Sequence, residues 1–237
     1  EMINKHISDL IFIKWLIGVI FFFLIIYLLS YFDFLSSLIN NDASYISSLI
    51  FIIFFYFSIK VGTELYYLRM RYVNINLLLS MLLNKSKKDI NDILNIFQKS
   101  NNHDDQSIYL YITSNTESPS SKENFEYSLT SKLNTGWLVA DGLLKLGLIG
   151  TVIGFIIMLS AITEIDGFDF TMMKQMLQNM SGGMKVALYT TLSGLVSSIL
   201  LTIQYSYLEH YTYKIFYITN TCLSFYVAQD LEMDNNG

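Results

Sequence analysis

Four runs of apolar residues divide the chain. The first extends from Ile11 to Phe32 and is broken only by Lys14. The second, shorter, extends from Ile46 to Val61 and meets Lys60 at its end. The third covers Leu143 to Ile162 and the fourth Val186 to Tyr207. A helix rises about 1.5 Å per residue, so roughly 17–25 apolar residues cross the hydrocarbon layer. Backbone N–H and C=O groups in lipid must pair within their own segment, so each run reads as a helix. The pattern predicts an all-α polytopic membrane protein with four transmembrane helices and helical cytoplasmic extensions.

The stretches between the runs are also helical in pattern. Thr63 to Leu83 is rich in apolar residues and continues the second run as one helix. Ser86 followed by Asp89 reads as a capping box with Asp in place of Glu. It starts a short helix, Lys87 to Gln98, in which Ile90, Ile93, Leu94 and Phe97 share one face. Ser100 to Asp105 reads as a polar turn, and Ser114 to Lys122, with Pro119, as a loop. Glu123 to Leu133 leads as helix into the third run. Leu208 to Leu231 has no helix breaker, so the fourth run and the tail form one helix. The expected organisation is an N-terminal transmembrane hairpin (1–62), a cytoplasmic helical region (63–136), a second transmembrane hairpin (137–207) and a cytoplasmic C-terminal helix (208–237).

Charge sets the orientation. The 62–136 region carries Arg69, Arg71, Lys85, Lys87, Lys88, Lys99, Lys122 and Lys132. The segment from Asp33 to Tyr45 has no Lys or Arg, and that from Thr163 to Gly183 has only Lys174 against Glu164, Asp166 and Asp169. Positive residues stay on the cytoplasmic side. Both termini are therefore expected in the cytoplasm, with both short loops facing outward. Met2 is read as the natural start, Glu1 preceding it. The first run is too long for a cleavable signal and should remain as an anchor.

Composition agrees. Only 15% of residues are charged, below the roughly 25% of soluble domains, and mean hydropathy is +0.41. A net charge of −5 with no basic stripe argues against nucleic-acid binding. Pro119 is the only proline, so no span carries a proline kink. Cys222 is the only cysteine and cannot form an internal disulfide. His6, His103 and His210 fit no metal spacing. No nucleotide loop, nucleophile elbow or catalytic pair is visible, so the chain is not expected to be an enzyme, and no cofactor is expected.

The two hairpins differ in kind. Spans one and two are packed with Phe, Ile, Leu and Tyr, whereas spans three and four are rich in Gly, Ala, Ser and Thr. Small residues let helices approach closely. In span three Gly147, Gly150 and Gly154 share a face, bordered by Thr151. In span four Ala187, Thr191, Gly194 and Ser198 share a face, flanked by Thr190 and Ser197. Intramembrane Thr and Ser readily bond back to the i−4 carbonyl, so a purely structural reading of them stands beside a functional one.

Gly-Leu-Ile-Gly-Thr-Val-Ile-Gly at 147–154 and Ala-Leu-Tyr-Thr-Thr-Leu-Ser-Gly-Leu at 187–195 resemble the third-helix and last-helix signatures of the MotA/TolQ/ExbB family of ion-channel subunits. The resemblance covers about Trp137 to Tyr207, and the four-span layout is similar to the flagellar stator branch. It implies a homopentamer around a dimer of a single-span subunit like MotB, ExbD or TolR, whose membrane helix bears an Asp. It also implies that H⁺ or Na⁺ passes that Asp and this chain's threonines while the pentamer turns. Carried over residue by residue, Thr151 and Thr191 become pathway hydroxyls, with Thr190 a third. Gly147, Gly150, Gly154, Ala187, Gly194 and Ser198 become packing positions around the partner. Two features depart from the pattern: ExbB and TolQ carry Glu where Val186 stands, and a proline of several relatives near the cytoplasmic end of the last helix is missing.

No Asp or Glu lies inside any of the four runs. A buried carboxylate in the bilayer marks an ion path, so here a partner would have to supply it. The alternative is a non-conducting scaffold that uses the same small-residue faces only for packing. A transporter permease fragment is disfavoured because no polar substrate-binding cluster is present. Asp141 and Lys145 form an i, i+4 pair at the inner end of span three. Arg69, Arg71, Lys87 and Lys88 read as a solvated face and an inside-positive signal, with gripping of a rotor, as in some stators, the lesser reading. Trp15 and Trp137 read as interface anchors.

Overall fold

A computed structural model describes residues 45–83, 87–100, 102–114, 118–163 and 170–234, with a few isolated positions between 13 and 27. Among them the chain is all helix, 97% helical with no strand. The helices are α1 (Ile46–Leu83), α2 (Lys87–Lys99), α3 (His103–Thr113), α4 (Pro119–Thr163) and α5 (Phe170–Asp234). Three of them, α1, α4 and α5, are long and apolar enough to cross a membrane. Most of the first expected span, Ile11 to Phe32, and the Ser86 cap lie outside the described residues.

Three boundaries differ from the sequence reading. The expected turn at Ser100–Asp105 is shorter, because α3 begins at His103. Asn102 caps it, its side chain accepting from the Asp104 amide, and Asp104 and Asp105 complement the positive end of the helix. The expected loop around Pro119 ends one residue before it. Pro119 is the first residue of α4, where its missing N–H costs nothing, and Ser118 Oγ accepts from the Ser121 amide. The expected outward loop to Gly183 is helical from Phe170 onward.

The chain divides into two compact units. One comprises Glu1–Trp15, Val61–Thr135 and Ser206–Gly237; the other comprises Leu16–Lys60 and Gly136–Tyr205.

The first unit has a core of large side chains. On α1, Val61, Leu65, Leu68, Tyr72, Ile75, Leu78 and Leu82 are buried; on α5, Leu208, Thr212, Ile215, Thr219 and Cys222. These positions recur at steps of three and four, as they do when a helix keeps one stripe against its neighbours. Ile90, Ile93, Leu94 and Phe97 of α2 are all buried, as their spacing predicts. On α3, the Tyr111 ring stacks on Phe125 with centroids 4.3 Å apart, and its hydroxyl donates to Asn220 Oδ1 at 2.8 Å. Lys214 Nζ lies 5.1 Å from the centre of the Tyr72 ring. Cys222 is fully buried with Sγ 3.9 Å from the Ile75 carbonyl, and burial pushes its thiol up to about 12.

Arg71 belongs to this core too, contrary to the solvated face expected of it. It is only 6% exposed, because the first-turn carboxylates of α3 meet its guanidinium. A charge inside a helix pattern reads as solvated unless its counter-ions, here 33 and 34 residues away, are known.

In the second unit, Ile50 and Phe54 of α1 are buried, while Ile52, Tyr56 and Ile59 are exposed. Leu148, Val152, Phe155 and Ile156 of α4 and Leu188, Ile199 and Ile203 of α5 are exposed as well. So much outward apolar surface suits lipid or neighbouring subunits rather than water.

Candidate functional site: the glycine and threonine seam

Within the second unit, the small-residue faces of α4 and α5 pack on each other. A Cβ on Gly147 would stand 3.1 Å from the Gly194 Cα and 3.2 Å from the Thr190 carbonyl oxygen. One on Gly194 would stand 2.8 Å from the Gly147 Cα and from the Leu143 carbonyl oxygen. At Gly154 it would meet the Ala187 amide nitrogen at 2.5 Å, and at Gly150 it would overlap the Thr190 side chain. Glycine is therefore required by backbone-to-backbone contact along this seam, as in close helix pairs generally.

The hydroxyls sit on and beside the seam. Thr190 is fully buried, and its Oγ1 donates to the Val186 carbonyl at 2.9 Å and the Ala187 carbonyl at 3.1 Å. Thr191 is partly buried. Its Oγ1 donates to the Ala187 carbonyl at 2.9 Å and approaches the Gly147 carbonyl across the seam at 3.4 Å. In the α4 ladder, Gly147 O is the acceptor for residue 151. Thr151, one turn on, is partly buried and donates to the Leu148 carbonyl. Bonding to their own helix lets these hydroxyls sit in an apolar layer at little cost.

The structure thus brings Gly147, Gly150, Gly154, Ala187, Thr190, Thr191 and Gly194 together. The small residues, expected to pack around a partner, face one another inside a single chain. Thr190 fills the space beside Gly150 and has no exposed surface within the chain. Ser198 is buried one turn beyond Gly194. Two residues were missed. Gly183, assigned to a loop, lies on α5, where an added Cβ would stand 2.6 Å from the Met158 amide. Ser193 is buried and donates to the Tyr189 carbonyl at 2.8 Å. Its spacing of three from Thr190 was the available signal.

Among the described residues no group of three or more His, Cys, Asp or Glu side chains could hold a metal ion. Asp141 and Lys145 pair at 2.6 Å on an exposed face of α4.

Residues 122–219 match the MotA/TolQ/ExbB proton channel family. The match contains both motifs and every residue of the α4–α5 seam. Members of MotA/TolQ/ExbB are channel proteins, not enzymes. No curated protein and no solved structure matches the chain.

Proposed function

We propose that the chain is the ion-conducting subunit of a rotary motor driven by ion-motive force. In this reading several copies, five by family precedent, surround a dimer of single-span subunits whose membrane helix brings an Asp. Inward flow of H⁺, or of Na⁺, past that carboxylate is coupled to mechanical work on the cell envelope, from an inner-membrane position with both termini cytoplasmic. The observation that carries the proposal is the match of residues 122–219 to MotA/TolQ/ExbB, falling on a seam bordered by two partly buried threonines.

The chemistry supports it. A lone carboxylate in the bilayer must be paired, hydrated or protonated. Hydroxyls such as Thr151 and Thr191 can solvate it without holding it as a fixed cation would, so an ion can load and leave repeatedly. Thr190 is assigned to packing.

A non-conducting scaffold is the second reading. It is favoured by the fact that the glycines are used within the chain and that all three threonine hydroxyls donate to backbone carbonyls. Ion flux in proteoliposomes holding this chain with its co-purified single-span partner separates the two. Thr151→Val and Thr191→Val should each remove most of the flux with assembly intact, and Thr190→Val should retain it. Unchanged flux in both of the first two variants would favour the scaffold.

A further inference from the structure

Away from the seam, the first unit holds a buried cluster of charges. Arg71 of α1 pairs with Asp104 of α3, Nη1 to Oδ2, at 2.8 Å, and its Nε reaches Asp105 Oδ1. Lys132 of α4 reaches the same Asp104 Oδ2 at 3.0 Å and Glu64 at 3.5 Å. Ser100 Oγ donates to Asp105 Oδ2 at 2.6 Å. The side chains of Arg71 and Asp104 are 6% and 5% exposed.

Two polar atoms of this cluster are buried and have no hydrogen-bond partner among the described residues: Arg71 Nη2 and Asp104 Oδ1. Leaving such atoms unmet is costly, more so when they are charged. Both residues line a cavity of about 30 Å³, together with Glu64, Lys132 and Thr212. A water molecule needs roughly 10–15 Å³ of such space and two to four polar partners. The cavity meets both conditions.

The charges decide what fits. A cation at Asp104 Oδ1 would lie beside the Arg71 guanidinium, on a carboxylate that two cations already neutralise. An anion at Arg71 Nη2 would face Asp104, Asp105 and Glu64. A neutral molecule that donates at one end and accepts at the other suits both atoms. We propose that this cavity is a binding site for one or two water molecules, which join Arg71 Nη2 to Asp104 Oδ1 and fasten α3 to α1 through a hydrated ion pair. Asp104 then has one oxygen held by Arg71 and Lys132 and the other by water.

A high-resolution structure of the full chain in its native assembly tests this. The expected result is one or two density peaks within hydrogen-bond distance of both atoms, unchanged when bromide replaces chloride and rubidium replaces potassium. An anomalous signal at the peak after either exchange would identify an ion and overturn the proposal. So would a closed cavity in which Arg71 Nη2 bonds a protein acceptor. Radiolytic footprinting of the same sample gives an independent reading. Leu133 and Leu208 line the cavity, so they should oxidise faster than equally buried leucines away from it. Equal rates would count against resident water.

Discussion

Both units hold buried hydroxyls bonded back to their own helix, Thr212 and Thr219 in one and Thr190 and Ser193 in the other, but they differ in the polar pairs that join distant parts of the chain. In the unit containing α2 and α3, polar side chains find partners far away in the sequence: Arg71 with Asp104 and Asp105, Lys132 with Glu64, Tyr111 with Asn220. In the other unit, the buried hydroxyls of Thr190 and Ser193 turn back to carbonyls three or four residues earlier on their own helix. The difference teaches what each region asks of its side chains. Long-range pairs fix which helices meet. Self-satisfied hydroxyls leave the helix surface smooth, so that backbones can meet at glycine.

Substitutions test that contrast, and the largest effect belongs to the charged cluster. Arg71→Met strands Asp104 in a buried place with only Lys132 beside it. It should cost about 3–5 kcal/mol in thermal or denaturant unfolding, and the double variant Arg71→Met with Asp104→Leu should recover most of the loss. A cost as small as that of a surface pair would erase the distinction between the units. Next comes the seam. Gly150→Leu drives a branched side chain into Thr190 and should cost about 1–3 kcal/mol, visible as loss of detergent-stable protein. Wild-type stability would show that α4 and α5 do not meet as closely as described. The smallest effect is at Lys145. Lys145→Gln removes an exposed i, i+4 partner of Asp141 and should shift stability by no more than about 0.5 kcal/mol. A larger loss would mean that this pair engages something beyond its own helix.

Parts of both units were legible in the sequence. The buried face of α2 was readable because its other face is polar, so the helical period shows. The glycine and threonine faces of α4 and α5 were readable because small residues stand out among bulky ones. Helix ends were harder. Asp104 and Asp105 resemble turn residues until the Asn102 cap is seen, and Pro119 signals a loop or a helix start with equal force. Gly182 and Gly183 fall at the end of the expected outward loop, yet they lie inside α5, where Gly183 allows the approach of Met158. The burial of Arg71 was invisible, because it depends on α3 folding back onto α1. Which threonines border the seam and which one fills it was equally hidden. Thr190 and Thr191 are adjacent in sequence, and only the rotation of α5 against α4 separates their roles.

The stepping of α5 by threes and fours limits how its length can vary. One inserted residue turns everything after it by about 100°. Placed just before Leu208, it would move Leu208, Thr212, Ile215, Thr219 and Cys222 off their buried stripe together and bring a different set of side chains inward. Insertions or deletions of seven come close to two whole turns and preserve the phase. Length changes in this helix among natural relatives or engineered forms should therefore come in heptads, and a lone indel there should be as damaging as the loss of several core residues at once.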